Sequence, residues 1–207
     1  MMLNRHAKDL FRRALAALLL AGAAACAWAT PIGSSYHVEL DTRAYSGTGW
    51  LDLQFNPGMD GASQATATIR NFTGLPEGEF FADGEVTGTL PGVVAIGNGS
   101  AFNALFSSIG LGTRFGFDLS FSSGATGSAP ADSVFSVALY GDDQVTQLGH
   151  PDPFLGSLLR FEVSAAGVAP VPSDDELAGV SAVPEPGTLM LVLPALALLG
   201  AARRQRR

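Results

Sequence analysis

From Tyr36 onward, apolar and polar residues alternate along the chain with a period of two, the pattern of strands buried on one face. Residues 113–122 (TRFGFDLSFS) are the clearest case. Phe115, Phe117, Leu119 and Phe121 share one face, and Arg114, Gly116, Asp118, Ser120 and Ser122 the other. The same alternation groups Tyr36 with Val38 and Leu40, Leu51 with Leu53 and Phe55, and Ala65 with Ala67 and Ile69. Phe135, Val137 and Leu139 form a further set, and Leu159, Phe161 and Val163 close the series. Turn chemistry separates the runs at Asn56-Pro57-Gly58, Leu75-Pro76-Glu77-Gly78 and Gly141-Asp142-Asp143. Residues 101–109 (AFNALFSSI) suit a short helix or 3₁₀ turn as well as a strand. Many short strands, frequent glycine and no internal repeat predict an all-β fold. The expectation is a single antiparallel β-sandwich or jelly-roll domain over residues 30–164.

Beyond it the alternation fades. Residues 168–183 (VAPVPSDDELAGVSAV) mix proline, small residues and acids, so 165–183 are predicted to be an acidic linker. The run Asp174-Asp175-Glu176 lacks the ligand spacing and glycine turn of a calcium loop, and is read as a solvated feature.

Both ends have another character. Arg5, Lys8, Arg12 and Arg13 precede an apolar run and then Ala27-Trp28-Ala29. This layout predicts a signal peptide over 1–29, with Ala27 and Ala29 as the small residues at the cleavage site and signal peptidase as the processing enzyme. Acylation at Cys26 is the competing reading, but Ala23-Ala24-Ala25 before it omit the leucine that lipoprotein processing usually has. At the other end, Pro184-Glu185-Pro186 leads into an apolar stretch over 189–202 and then Arg203, Arg204, Arg206 and Arg207. A helix of that stretch, at about 1.5 Å per residue, is about 21 Å long, short of a hydrocarbon core of about 30 Å. Pro194 weakens it further. These features predict transient insertion in the inner membrane, with the arginines as a cytoplasmic stop cluster and Pro184-Glu185-Pro186 on the outer side.

This tail closely resembles the PEP-CTERM sorting signal, matching its motif, its transmembrane segment and its arginine cluster in order. The resemblance implies processing by an exosortase in a Gram-negative bacterium that makes extracellular polysaccharide, and delivery to the outer envelope or extracellular matrix. The domain also resembles a narrower group of PEP-CTERM proteins at residues 36–42 (YHVELDT), 51–58 (LDLQFNPG) and 88–92 (GTLPG). That likeness supports export and fold class, and supplies no catalytic residue.

Charge narrows the partners. Between Thr30 and Val183, seventeen acids face four arginines and no lysine, a balance of −13. Such a surface repels phosphate backbones and anionic headgroups, so nucleic acid is excluded as a partner. Cys26, the single cysteine, falls within the expected signal peptide, so no disulfide is predicted for the exported part.

Chemistry is sparse. Only His37 and His150 lie outside the signal region, so no zinc site of the cysteine or HExxH type can be assembled, and no metal or cofactor is predicted. The motifs of a nucleophile elbow, a dinucleotide fold and a P-loop are missing. Acids such as Asp118 and Asp132 cannot be told from surface charge, although glycoside hydrolysis needs such a pair. Tyr36, Tyr45, Trp50 and Tyr140 can supply rings for a sugar, though Trp50 begins a strand and also suits packing. The sequence thus predicts a non-enzymatic, structural or adhesive envelope protein. A carbohydrate-binding module of the exopolysaccharide matrix is the alternative, and a hydrolase comes third.

Overall fold

The alternating segments become strands, and segments without alternation join them. The computed structural model describes residues 35–123, 132–150, 156–164, 167–172 and 176–183. In chain order the strands are β1 (Ser35–Asp41), β2 (Thr48–Pro57), β3 (Ala65–Thr73), β4 (Pro76–Asp83), β5 (Val86–Thr87) and β6 (Val94–Gly97). They continue with β7 (Ala104–Gly110), β8 (Arg114–Ser123), β9 (Ser133–Gly141), β10 (Leu159–Ser164), β11 (Gly167–Pro172) and β12 (Ala178–Ala182). The strands form two six-stranded antiparallel sheets, ordered β12-β1-β8-β3-β6-β5 and β11-β10-β9-β2-β7-β4. Their apolar faces share one core, so the fold is the expected β-sandwich.

The core follows from the pleat. Phe115, Phe117, Leu119 and Phe121 of β8 are all nearly inaccessible and meet Phe55, Phe135 and Phe161 from the opposite sheet. The rings of Phe121, Phe135 and Phe161 lie 5.7 to 6.1 Å apart in tilted and edge-on pairs, the geometry that aromatic quadrupoles favour. Residues 101–109, open between helix and strand in the sequence, resolve as a turn leading into β7. Leu105 and Ile109 of that strand enter the core.

The expectation of a linker over 165–183 is corrected. β11 pairs with β10 from Ser164↔Gly167 to Leu159↔Pro172, and β12 pairs with β1 from Leu40↔Ala178 to Tyr36↔Ala182. Both are edge strands. An edge strand needs ladder donors on one side only, so Pro170 and Pro172 are tolerated in β11 and conceal it from a pattern search. Leu177 and Ala178 are buried in the core, and the Val183 amide donates to the Ser35 carbonyl at 2.8 Å. The sandwich therefore runs to Val183, immediately before Pro184.

Three further strands escaped the pattern, among them β5, which is only two residues long. β4 was expected to be a turn at its start, and nearly all of it is exposed because it borders the sheet on its free side. β6 is only four residues long, too short for a period to register.

Candidate functional site

The outer face of the second sheet is unlike an ordinary solvated sheet surface. Along β2, Leu51, Leu53 and Phe55 turn into the core, so Trp50, Asp52, Gln54 and Asn56 stand on the opposite face. Strand register then places Phe81, Phe106, Asp52 and Ala138 side by side across β4, β7, β2 and β9. A parallel row holds Asp83, Ala104, Gln54 and Ser136. Trp50 pairs with Tyr140 on β9.

Trp50 is covered by aromatic neighbours: its ring stacks on Phe106 at 4.8 Å and on Phe81 at 5.7 Å. Phe106 in turn meets Tyr140 edge-on at 5.7 Å. Trp50 is left 3% exposed, whereas Phe81 is 59% exposed and Phe102 48%. The indole acts as a foundation, and the exposed rings are phenylalanines.

Beside the rings runs a polar strip made possible by the two-residue repeat, which sets alternate side chains against one another on one face. Gln54 Nε2 donates to Asp52 Oδ2 at 2.7 Å, Asn56 Nδ2 donates to Gln54 Oε1 at 3.1 Å, and the Asn103 amide donates to Asn56 Oδ1 at 2.7 Å. Burial pushes the Asp52 carboxyl above the usual carboxylate range, against the opposing effect of the Gln54 hydrogen bond. Asp52 is 8% exposed, and its Oδ1 has no hydrogen-bond partner among the described residues.

Rings and strip together border an open groove of about 380 Å³, lined by Asp52, Gln54, Phe81, Asp83, Phe102 and Ala104 among others. Its far wall is held by Asn103, which is fully buried and fully engaged. The Asn103 side chain donates to the Phe55 and Ser100 carbonyls and accepts from the Glu85 amide. Gly84 makes the tight turn after β4 at a φ of 69°, with its Cα against the Phe102 carbonyl where a side chain has no room. These contacts keep Phe102 opposite Phe81.

Of the four aromatics singled out from the sequence, Trp50 and Tyr140 lie together in this cluster. Tyr36 is buried instead. It packs on Phe161 of β10 at 5.0 Å and donates its hydroxyl to the Val168 carbonyl at 2.8 Å, the latter contact supplied by the unexpected β11. Tyr45 sits elsewhere, its hydroxyl accepting from the Gly149 amide, and borders a second depression of about 490 Å³ with Asp41, Arg43, His150 and Glu176. There the Arg43 guanidinium hydrogen-bonded to Asp41 holds that carboxyl well below its usual range.

His37 Nδ1 lies 2.8 Å from Asp118 Oδ1 on the outer face of the first sheet. Asp118 is also bound by Asn71, and these hydrogen bonds lower its pKa. Asp132 is buried at the start of the second sheet, so the two acids do not face one cleft. Among the described residues no cluster of three metal-ligating side chains occurs. Phe81, Phe102, Phe106 and Asp52 were not anticipated. The alternation of β2 does put Asp52 and Gln54 on the face of Trp50, but nothing local pairs β2 with a strand carrying Phe106.

Residues 182–207 match the family described as the PEP-CTERM protein-sorting motif. No curated protein and no solved structure matches the chain. The tail, with Pro184, Glu185, Pro186 and the arginine cluster at 203–207, lies outside the described residues, as does the expected signal peptide with Ala27 and Ala29. The match identifies residues 182–207 as a PEP-CTERM sorting signal, which implies sorting by an exosortase and export to the cell surface or extracellular space.

Proposed function

We propose that the protein is an adhesive, structural component of the outer envelope or exopolysaccharide matrix, acting without catalysis. It enters the envelope by signal peptidase cleavage after Ala29, passes through an inner-membrane intermediate held by residues 189–202, and is released to the outside by exosortase acting at Pro184-Glu185-Pro186. The observation that carries the adhesive reading is the outer face of the second sheet, where Phe81 and Phe102 stand 59% and 48% exposed beside an amide and carboxylate strip. An exposed aromatic patch flanked by polar groups marks an interaction surface on a soluble domain.

The test is co-sedimentation. The full-length chain, purified in mild detergent, is mixed with matrix polysaccharide isolated from its own host. Retention in the pellet is expected, and recovery of all the protein in the supernatant refutes the reading. A second reading, hydrolysis, draws on the presence of Asp52 and Asp83 in one groove, because burial raises the pKa of one acid as a general acid requires. Soluble sugar released with time in the same experiment would favour it.

A further inference from the structure

We infer that the groove between Phe81, Phe102 and Asp52 is a binding site for neutral hexopyranose chains, and that it rejects glycans bearing carboxylate or sulfate groups. The inference deepens the adhesive reading, on which it rests, by naming the ligand class of that face.

Size is the first argument. At about 380 Å³ the groove lies in the range of small-molecule sites, about 300–1,000 Å³, and it is open rather than enclosed, so a chain can pass along it. Wall chemistry is the second. A hexopyranose presents one apolar face of C–H groups and a rim of hydroxyl donors. Phe81 and Phe102 offer exposed ring faces for the first, and Ala104 keeps the floor low between them.

The acceptors meet the second demand. Asp52 is more than nine-tenths buried, and Gln54 engages only its Oδ2, which leaves Oδ1 as an unused acceptor on the wall of the groove. Asp52 Oδ1 remains within reach of water, so a sugar hydroxyl can take that water's place as its donor. Asp83 also retains acceptor capacity, since among the described residues it receives only the Gly84 amide, at Oδ1.

Charge decides between glycans. The groove contains Asp52 and Asp83, and among the described residues no Lys or Arg lines it. A uronate or sulfate brought against these carboxylates meets like charge with no cation to offset it. The same feature argues against nucleic acid and anionic lipid, while a neutral sugar loses nothing by it.

The experiment is calorimetric titration of the full-length chain in mild detergent with hexasaccharides of β1,3- and β1,4-linked glucose, mannose and galactose, alongside polygalacturonate fragments. Saturable binding of at least one neutral oligosaccharide, and none of the uronate, is expected. Phe81→Ala should weaken binding by about tenfold through loss of the ring contact. Asp52→Asn should weaken it by about tenfold or more through loss of a charged acceptor. Because Phe81→Ala also uncovers Trp50, its melting is recorded alongside, and Phe102→Ala, which leaves that stack intact, should weaken binding in the same way.

Binding of the uronate as tight as any neutral sugar overturns the inference, as does failure of every neutral oligosaccharide or undiminished binding by Phe81→Ala. A dimer in sedimentation that Phe81→Ala dissolves would instead assign the groove to a second copy of the chain, and would also overturn it. Retention on host matrix with no neutral-sugar binding refutes this inference and leaves the adhesive reading standing, so the two failures are distinguishable.

Discussion

Asp52 is the residue at which stability and the candidate site pull apart. Its side chain is buried beside Phe106 with one hydrogen bond from Gln54, so the fold disfavours its charged form and raises its pKa. For a carboxyl raised on folding, the penalty is absent below the unfolded value of about 3.9 and grows as pH rises through the folded value. Asp52→Asn is therefore expected to melt higher than the native chain at pH 7, with the gap closing near pH 3, in paired thermal melts. Asp118 behaves oppositely. Asn71 and His37 lower its pKa, so its contribution is present above the usual carboxylate range and fades as pH falls through the folded value. A residue kept at a cost to stability, on the wall of a groove, is what a binding role requires.

Among the elements, β11 and β12 matter most for how the domain is delimited. β12 covers the outer edge of β1 and carries Ala178 into the core, with Leu177 just ahead of it, while β11 covers the edge of β10 and buries Tyr36 from above. A chain cut at Ser164, the boundary that alternation suggests, loses all of this. It is expected to be less stable than one ending at Val183 by at least about 2–5 kcal/mol, the usual cost of removing a single buried leucine. Urea denaturation of the two chains checks this, and equal midpoints would return residues 165–183 to a linker role. Such a cut also bares the β1 edge, an invitation to strand pairing between chains. β4, the edge strand that carries Phe81, guards its own free side with Glu77, Glu79 and Asp83.

For the whole molecule, the termini of the sandwich leave from one place, since Ser35 and Val183 are hydrogen-bonded neighbours. The segments assigned to signal peptidase and to exosortase thus both attach at the same end of the first sheet. Replacing Pro184, Glu185 and Pro186 together should leave the protein in the inner-membrane fraction, and unchanged export of that variant in a fractionation experiment would refute sorting through this motif. The acidic balance of −13 between Thr30 and Val183 disfavours anionic partners.

Much of this was legible along the chain because it depends on local order. A period of two is a property of neighbouring residues, so Phe115 to Phe121 and Leu51 to Phe55 declared their buried faces without any partner strand. The sorting tail and the arginine cluster are likewise linear signals. By themselves the residues determined an exported, acidic, all-β protein. The groove was decided only by tertiary structure. Phe81, Phe106 and Asp52 belong to three strands, and their adjacency rests on register set by β7 pairing with β4 on one side and β2 on the other. For Tyr36 the alternation already set the ring beside Val38 and Leu40, and only β11, through the Val168 carbonyl, decides where its hydroxyl is satisfied. Hydrogen bonding between strands distant in sequence costs loop entropy that no local pattern encodes, so which faces meet is settled only when the sheets form.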